Sequence, residues 1–113
     1  MDWRSEILDA ARKNDTLLLG YALKEARPED AKDERGRTPL HYAECGAVVG
    51  MLLEAGGNPN ATDMNRETPL HFRKSGEATR LLLQAGADPN ARNRYGETPL
   101  HKAKDDESVE ALL

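Results

Sequence analysis

The sequence holds one cysteine, Cys45, so no disulfide within the chain can stabilise it. That suits a reducing compartment, and a cytoplasmic location is the expectation. Aromatic residues are scarce: Trp3, Tyr21, Tyr42, Phe72 and Tyr95 are all there are, and a hydrophobic content of 38% sits low for a compact globule. With so little bulk to bury, the leucines and alanines must pack in a regular arrangement. No apolar run approaches the roughly 20 residues needed to cross a bilayer. The opening MDWRSEILDAARKND is charged from its second residue and lacks the apolar centre of a signal peptide. An excess of positive charge is missing as well. With 16 basic against 20 acidic residues the formal charge is −4, which gives no global attraction to nucleic acid or an anionic membrane. At 113 residues the chain is one domain's worth, and folding at this size buries about two thirds of the unfolded surface, leaving little spare stability.

Catalytic constellations are also missing. There is no glycine-rich phosphate loop and no Ser, His and Asp set around a nucleophile turn. His41, His71 and His101 recur at equal spacing, but no convergent set of the three or four ligands that zinc needs accompanies them. Cys45 stands next to a helix start, with Glu44 beside it and no basic partner, and reads as a small cap residue rather than a thiolate. Asp105-Asp106 read as a cap and a solvated helix start, because nothing nearby would separate their pKa values. The triplets Asn14-Asp15-Thr16 and Asn60-Ala61-Thr62 match a glycosylation pattern short enough to recur by chance. The expectation is a chain without enzymatic activity, metal or cofactor.

What is present is a repeat. Thr-Pro-Leu-His occurs at Thr38, Thr68 and Thr98, each copy 30 residues after the last. The aligned units are GRTPLHYAECGAVVGMLLEAGGNPNATDMN from Gly36, RETPLHFRKSGEATRLLLQAGADPNARNRY from Arg66 and GETPLHKAKDDESVEALL from Gly96. A fainter copy precedes them, with Ile7 in the place of Leu40, Leu70 and Leu100. Self-similarity at a fixed period means units whose apolar faces only their neighbours can cover.

Each unit can be read locally. Thr is an N-cap and Pro suits the first helical position, so short helices are expected from Pro39, Pro69 and Pro99. A breaker follows, and Ser75 and Asp105 are good caps for a second helix. That second helix carries the apolar pattern: Val48, Val49, Met51, Leu52 and Leu53, then Ala78 with Leu81 to Leu83, then Val109, Leu112 and Leu113. Gly56 and Gly86 stand where a helix ends in a left-handed residue. Turn-rich segments then lead to reversals at Asn65-Arg66 and Tyr95-Gly96.

Helix, turn, helix and extended finger, with TPLH three times, LLEAGGNPN, LLQAGADPN and DERGRTPLH, resemble the ankyrin repeat. The likeness covers Ile7 to Leu113 and implies an all-α solenoid of stacked helix-turn-helix units with hairpin-like fingers. One domain over 1–113 is expected, with 1–36 as a capping repeat, 37–66 and 67–96 as internal repeats and 97–113 as an incomplete last repeat. The later units are about three residues shorter than the usual family length. The alignment places the deficit in the turn between the helices, which should shorten the first helix. Arg66 also departs from the pattern, standing where the finger turn has Gly36 and Gly96. If φ is positive there, Arg66→Gly should raise stability. In such stacks the Thr and His of the tetrapeptide are expected to hydrogen-bond within the unit and to the neighbouring backbone.

The resemblance further implies a protein-binding scaffold whose fingers and first helices share one concave face. On this sequence the finger positions are Glu34, Arg35 and Arg37; Met64, Asn65 and Glu67; Arg94, Tyr95 and Glu97. The first helices contribute Tyr42, Phe72, Lys74, Lys102 and Lys104, and Tyr42 and Phe72 suit either packing between units or contact with a partner. Basic residues gather on this side, including Arg66, Arg73, Arg12 and Lys13, whereas most acids belong to second helices or outer loops. The partner expected is therefore a protein with an acidic surface, nucleic acid and membrane being disfavoured. Two forms of such a module fit: a small inhibitor or immunity-type protein, or an N-terminal scaffold segment of a larger ankyrin-repeat protein. The closing SVEALL ends within a second helix, so Leu112 and Leu113 suggest self-association through an open C-terminal end.

Overall fold

The computed structural model describes residues 2–28 and 31–103. The expected second helix of the last unit, with Asp105, Val109, Leu112 and Leu113, lies outside the described residues. So does Lys104.

Among the described residues the elements are, in order, α1 (Trp3–Lys13), α2 (Thr16–Leu23), α3 (Pro39–Tyr42), α4 (Gly46–Glu54), the 3-10 turn Pro69–His71, α5 (Gly76–Gln84) and α6 (Pro99–Ala103). Among the described residues there is no strand. Two rows result. In one, α1 packs on α3, α3 on the 3-10 turn and that turn on α6; in the other, α2 packs on α4 and α4 on α5. The molecule measures 39 × 26 × 21 Å, elongated as lateral stacking requires.

Side chains near each boundary account for it. Asp2 and Asp15 accept from the N–H groups of Arg4 and Leu18 and start α1 and α2. Ser75 accepts from the Ala78 N–H and starts α5, as a polar cap should. Gly56 and Gly86, at φ 99° and 98°, end α4 and α5 in the left-handed region. These two first helices, α3 and the 3-10 turn, are single turns because the chain breaks away in β conformation at Ala43, one residue after Pro-Leu-His, and at Phe72, directly after it.

The core is a strip of small and branched residues. Ile7, Ala10, Leu19, Val48, Val49, Leu52, Ala78 and Leu82 have no exposed surface. Met51, Leu53, Leu81 and Leu83 are half-buried along its flanks. Of the apolar pattern in α4 and α5, the residues three and four apart thus face inward, as helical periodicity requires.

Between the rows of helices and the next unit runs the finger. Asp33, Asp63 and Asn93 close the three fingers alike, each Oδ1 accepting the N–H groups two and four residues on at 2.8–2.9 Å. The turn needs a left-handed residue three places after the closing one. Gly36 and Gly96 supply it at φ 76° and 77°, and Arg66 at φ 60°. The positive φ expected at Arg66 is therefore present, and a side chain there costs about 1 kcal/mol relative to glycine.

Candidate functional site

The tetrapeptide's histidines tie units together. The Thr38 and Thr68 N–H groups donate to Nδ1 of His41 and His71 at 2.9 and 3.0 Å. On the far side of each ring, Nε2 lies 2.8 Å from the Glu67 carbonyl and 2.9 Å from that of Glu97, both in the following finger. A nitrogen that accepts a backbone N–H carries no proton, so the ring is the neutral form that donates from Nε2. Thr98 and His101 repeat the local half of this arrangement. Among the described residues no group of three or more His, Cys, Asp or Glu could hold a metal ion.

Burial pulls the His41 pKa below its ordinary 6.5, because a charged imidazolium would lose its hydration there, and the bond to the Glu67 carbonyl and the nearby Asp63 only partly oppose this. The folded pKa is the lower one, so between it and 6.5 the unfolded chain binds more protons. The stability His41 contributes above pH 6.5 is expected to fall away as the pH drops below that value. Thermal melts between about pH 7.5 and 5 should show a decline that is flatter in His41→Gln.

Lys74 is a correction to the candidate surface. It is 2% exposed, and its Nζ lies 2.7 Å from the Leu40 carbonyl oxygen, 3.0 Å from that of His41 and 2.5 Å from that of Ala43. These carbonyls end α3 without intrahelical partners. The shortened turn leaves them open, and the lysine of the next unit closes them instead of facing a ligand. Glu67 is likewise removed: it is 5% exposed, and its Oε2 accepts from Asn93 Nδ2 at 2.9 Å.

Arg37, Tyr42 and Phe72 form the floor of the concave side. The guanidinium of Arg12 lies 4.5 Å from the Tyr42 ring centre, and that of Arg37 lies 6.0 Å from Tyr42 and 4.8 Å from Phe72. Phe72 and His41 meet in a T-shaped contact, 5.5 Å between ring centres. Each guanidinium also has a carboxylate: Arg12 with Asp33 at 3.6 Å, and Arg37 Nε with Asp63 at 3.3 Å. Tyr42 donates its hydroxyl to Asp33. Burial alone would raise the Asp33 pKa, but the bonds from Tyr42 and the Arg37 and Arg35 N–H groups, with Arg12 nearby, hold it below its ordinary value. The floor is a stack of rings and the half-buried Arg37, with the more exposed Arg12 at its edge, and both cations already face carboxylates.

At the tips the situation differs. Glu34, Arg35, Met64, Arg66, Arg94 and Tyr95 are exposed, Met64 at 71% and Tyr95 at 72%. Asn65 and Glu97 are half-buried; Asn65 Oδ1 lies 3.3 Å from Arg94 Nη1, and Glu97 accepts from Asn93. Lys102 sits on α6. Adjacent fingers are joined edge to edge, the Met64 N–H donating to the Arg35 carbonyl and the Arg94 N–H to that of Asn65, both at 2.9 Å. The tips are therefore held in a fixed row.

Two joints had no signal strong enough to name them beforehand. Asn14, left-handed at φ 52°, accepts the N–H groups of Glu44 and Cys45 and so ties the segment that leads into α4 to the preceding unit. Asn60 accepts from the Asp88 N–H and donates to the Gly86 carbonyl, linking two helix-terminal loops. The available hint was an asparagine after a helix, a residue that tolerates the left-handed region.

Fold and surface together define a helical solenoid that presents a row of variable tips over a filled floor. A family model for three copies of the ankyrin repeat matches residues 44–113, and the chain belongs to the ankyrin-repeat family. Ankyrin repeats are generally protein-protein interaction modules and typically non-enzymatic. Comparison with curated proteins gives no match. Among the described residues no helix is long and apolar enough to cross a membrane.

Proposed function

We propose that this chain is a non-enzymatic module that binds a partner protein with an acidic surface, and acts by occupying that surface as an inhibitor or immunity-type protein does. The observation that carries the reading is the row of tips: Arg35, Met64, Arg66, Arg94 and Tyr95 are exposed on three fingers linked by backbone hydrogen bonds. Tyr and Arg are the side chains that most often dominate binding energy at protein interfaces. Held in advance by the finger turns, they lose little freedom on binding. Arg37, Tyr42 and Phe72 support the row from behind, and Glu34, Asn65 and Glu97 border it.

The test uses the uncharged tip residues. Affinity capture from the native host is run with the wild type beside the double variant Met64→Ala/Tyr95→Ala, whose side chains lie outside the core. The expected result is a defined protein retained by the wild type and lost from the variant, with both chains melting alike. Equal retention by the two chains would move the binding surface elsewhere and end this reading.

A further inference from the structure

Arg66 takes the position that glycine holds in the two neighbouring fingers, with φ 60° against 76° at Gly36 and 77° at Gly96. The fold draws no visible benefit from this strained side chain. It is exposed, and among the described residues it makes no ion pair, while its backbone N–H alone joins the turn, bonding to the Asp63 carbonyl at 3.0 Å. A strained residue that serves nothing inside the fold points to a role at the surface.

Its neighbours indicate which role. Arg35 and Arg94 stand on the flanking fingers, so each finger carries one exposed arginine, against one exposed carboxylate in the row, Glu34. The arginines behind the row, Arg12 and Arg37, are stacked on Tyr42 and Phe72 and matched by Asp33 and Asp63. Beside the half-buried Arg37 of the floor, the ledge of tips therefore offers a partner three exposed guanidinium groups in a row. The floor is filled, so the ledge suits a single extended chain laid across the fingers better than a helix, which needs a groove. Guanidinium forks match carboxylates with two parallel hydrogen bonds. Resting on the protein-binding reading above, we infer that the three tips grip an extended acidic segment of the partner, with Arg66 as the central contact, kept there at the expense of fold stability.

Two readouts of opposite sign test this on the full chain. Arg66→Gly should raise Tm by roughly 4 °C. At low salt the same variant should bind a fluorescent Glu-Gly repeat peptide about tenfold more weakly than the wild type. Arg66→Lys, keeping the charge and the backbone strain, should leave Tm unchanged and lose only part of that affinity. A Gln-Gly repeat peptide of equal length should bind the wild type at least tenfold more weakly than the Glu-Gly one. Equal affinity of Arg66→Gly and wild type, equal binding of the two peptides, or a Tm that does not rise overturns the inference. If Met64→Ala/Tyr95→Ala still abolishes capture, such a failure leaves the tip-binding module standing and removes only the acidic segment.

Discussion

Lys74→Met is expected to lower the stability of the fold by about 3 kcal/mol, with three buried carbonyls left without a donor. At about 4 °C per kcal/mol this is a fall in Tm of roughly 12 °C, read by thermal melts or urea titration. The methionine retains most of the stem's packing, so the loss reports on the head group: the carbonyls of Leu40, His41 and Ala43 at 2.5–3.0 Å from Nζ. Arginine does not rescue, because its planar fork cannot present three donors from one atom to three converging oxygens. Burial pushes the Lys74 pKa down to about 7, while the three oxygens favour the ammonium, the form with three N–H donors. The folded pKa still lies below the unfolded 10.5, so in the window between them the unfolded chain binds more protons. Stability therefore rises with pH across it, and the gap between wild type and Lys74→Met widens. A Tm within a degree or two of the wild type would show that Lys74 is not what closes α3.

Lys74 also shows what a sequence of this kind discloses and what it withholds. The repeat, its helix starts at Pro39, Pro69 and Pro99, the ends at Gly56 and Gly86 and the left-handed turn at Arg66 all follow from local backbone chemistry, which a period of 30 residues makes visible three times over. The direction of a long polar side chain beside a shortened turn does not follow from local chemistry. Lys74 and Arg73 are neighbours and alike in charge, yet one is buried under α3 and the other exposed beside Glu44, with Nε 3.9 Å from its carboxylate. What separates them is the set of orphan carbonyls in the preceding unit, a contact 31 to 34 residues away. Glu67 was hidden for a similar reason. Its burial depends on Asn93, the one amide in a column that has Asp33 and Asp63 in the other fingers and hence the one that can donate to a carboxylate. Tyr42 and Phe72 suited either core or contact because they are neither alone. Arginines from two different elements lie against their faces, which no spacing within a unit could reveal. The finger tips were the most legible part of the surface, since the turn that the glycines define must point its middle residues outward.

Leu52→Ala is expected to destabilise the fold by about 2–5 kcal/mol, a fall in Tm of roughly 8–20 °C. Leu52 has no exposed surface and lies on α4, which packs against α2 on one side and α5 on the other. The truncation removes apolar area from one shared core and leaves a void that single-turn first helices are too short to collapse into. Leu53→Ala, one residue on and half-buried, is the control: it rotates the deletion by one helical step away from the strip, and less than half the loss should follow. The ratio matters more than either value. In a globule with a broad interior both leucines would reach the same core, and the two losses would converge. In a stack whose units contribute one inward stripe each, the difference must be large, because α4 bridges α2 and α5 in its row. Similar melting temperatures for the two variants would contradict lateral stacking as the source of stability, and with it the rigidity that holds the finger tips in line.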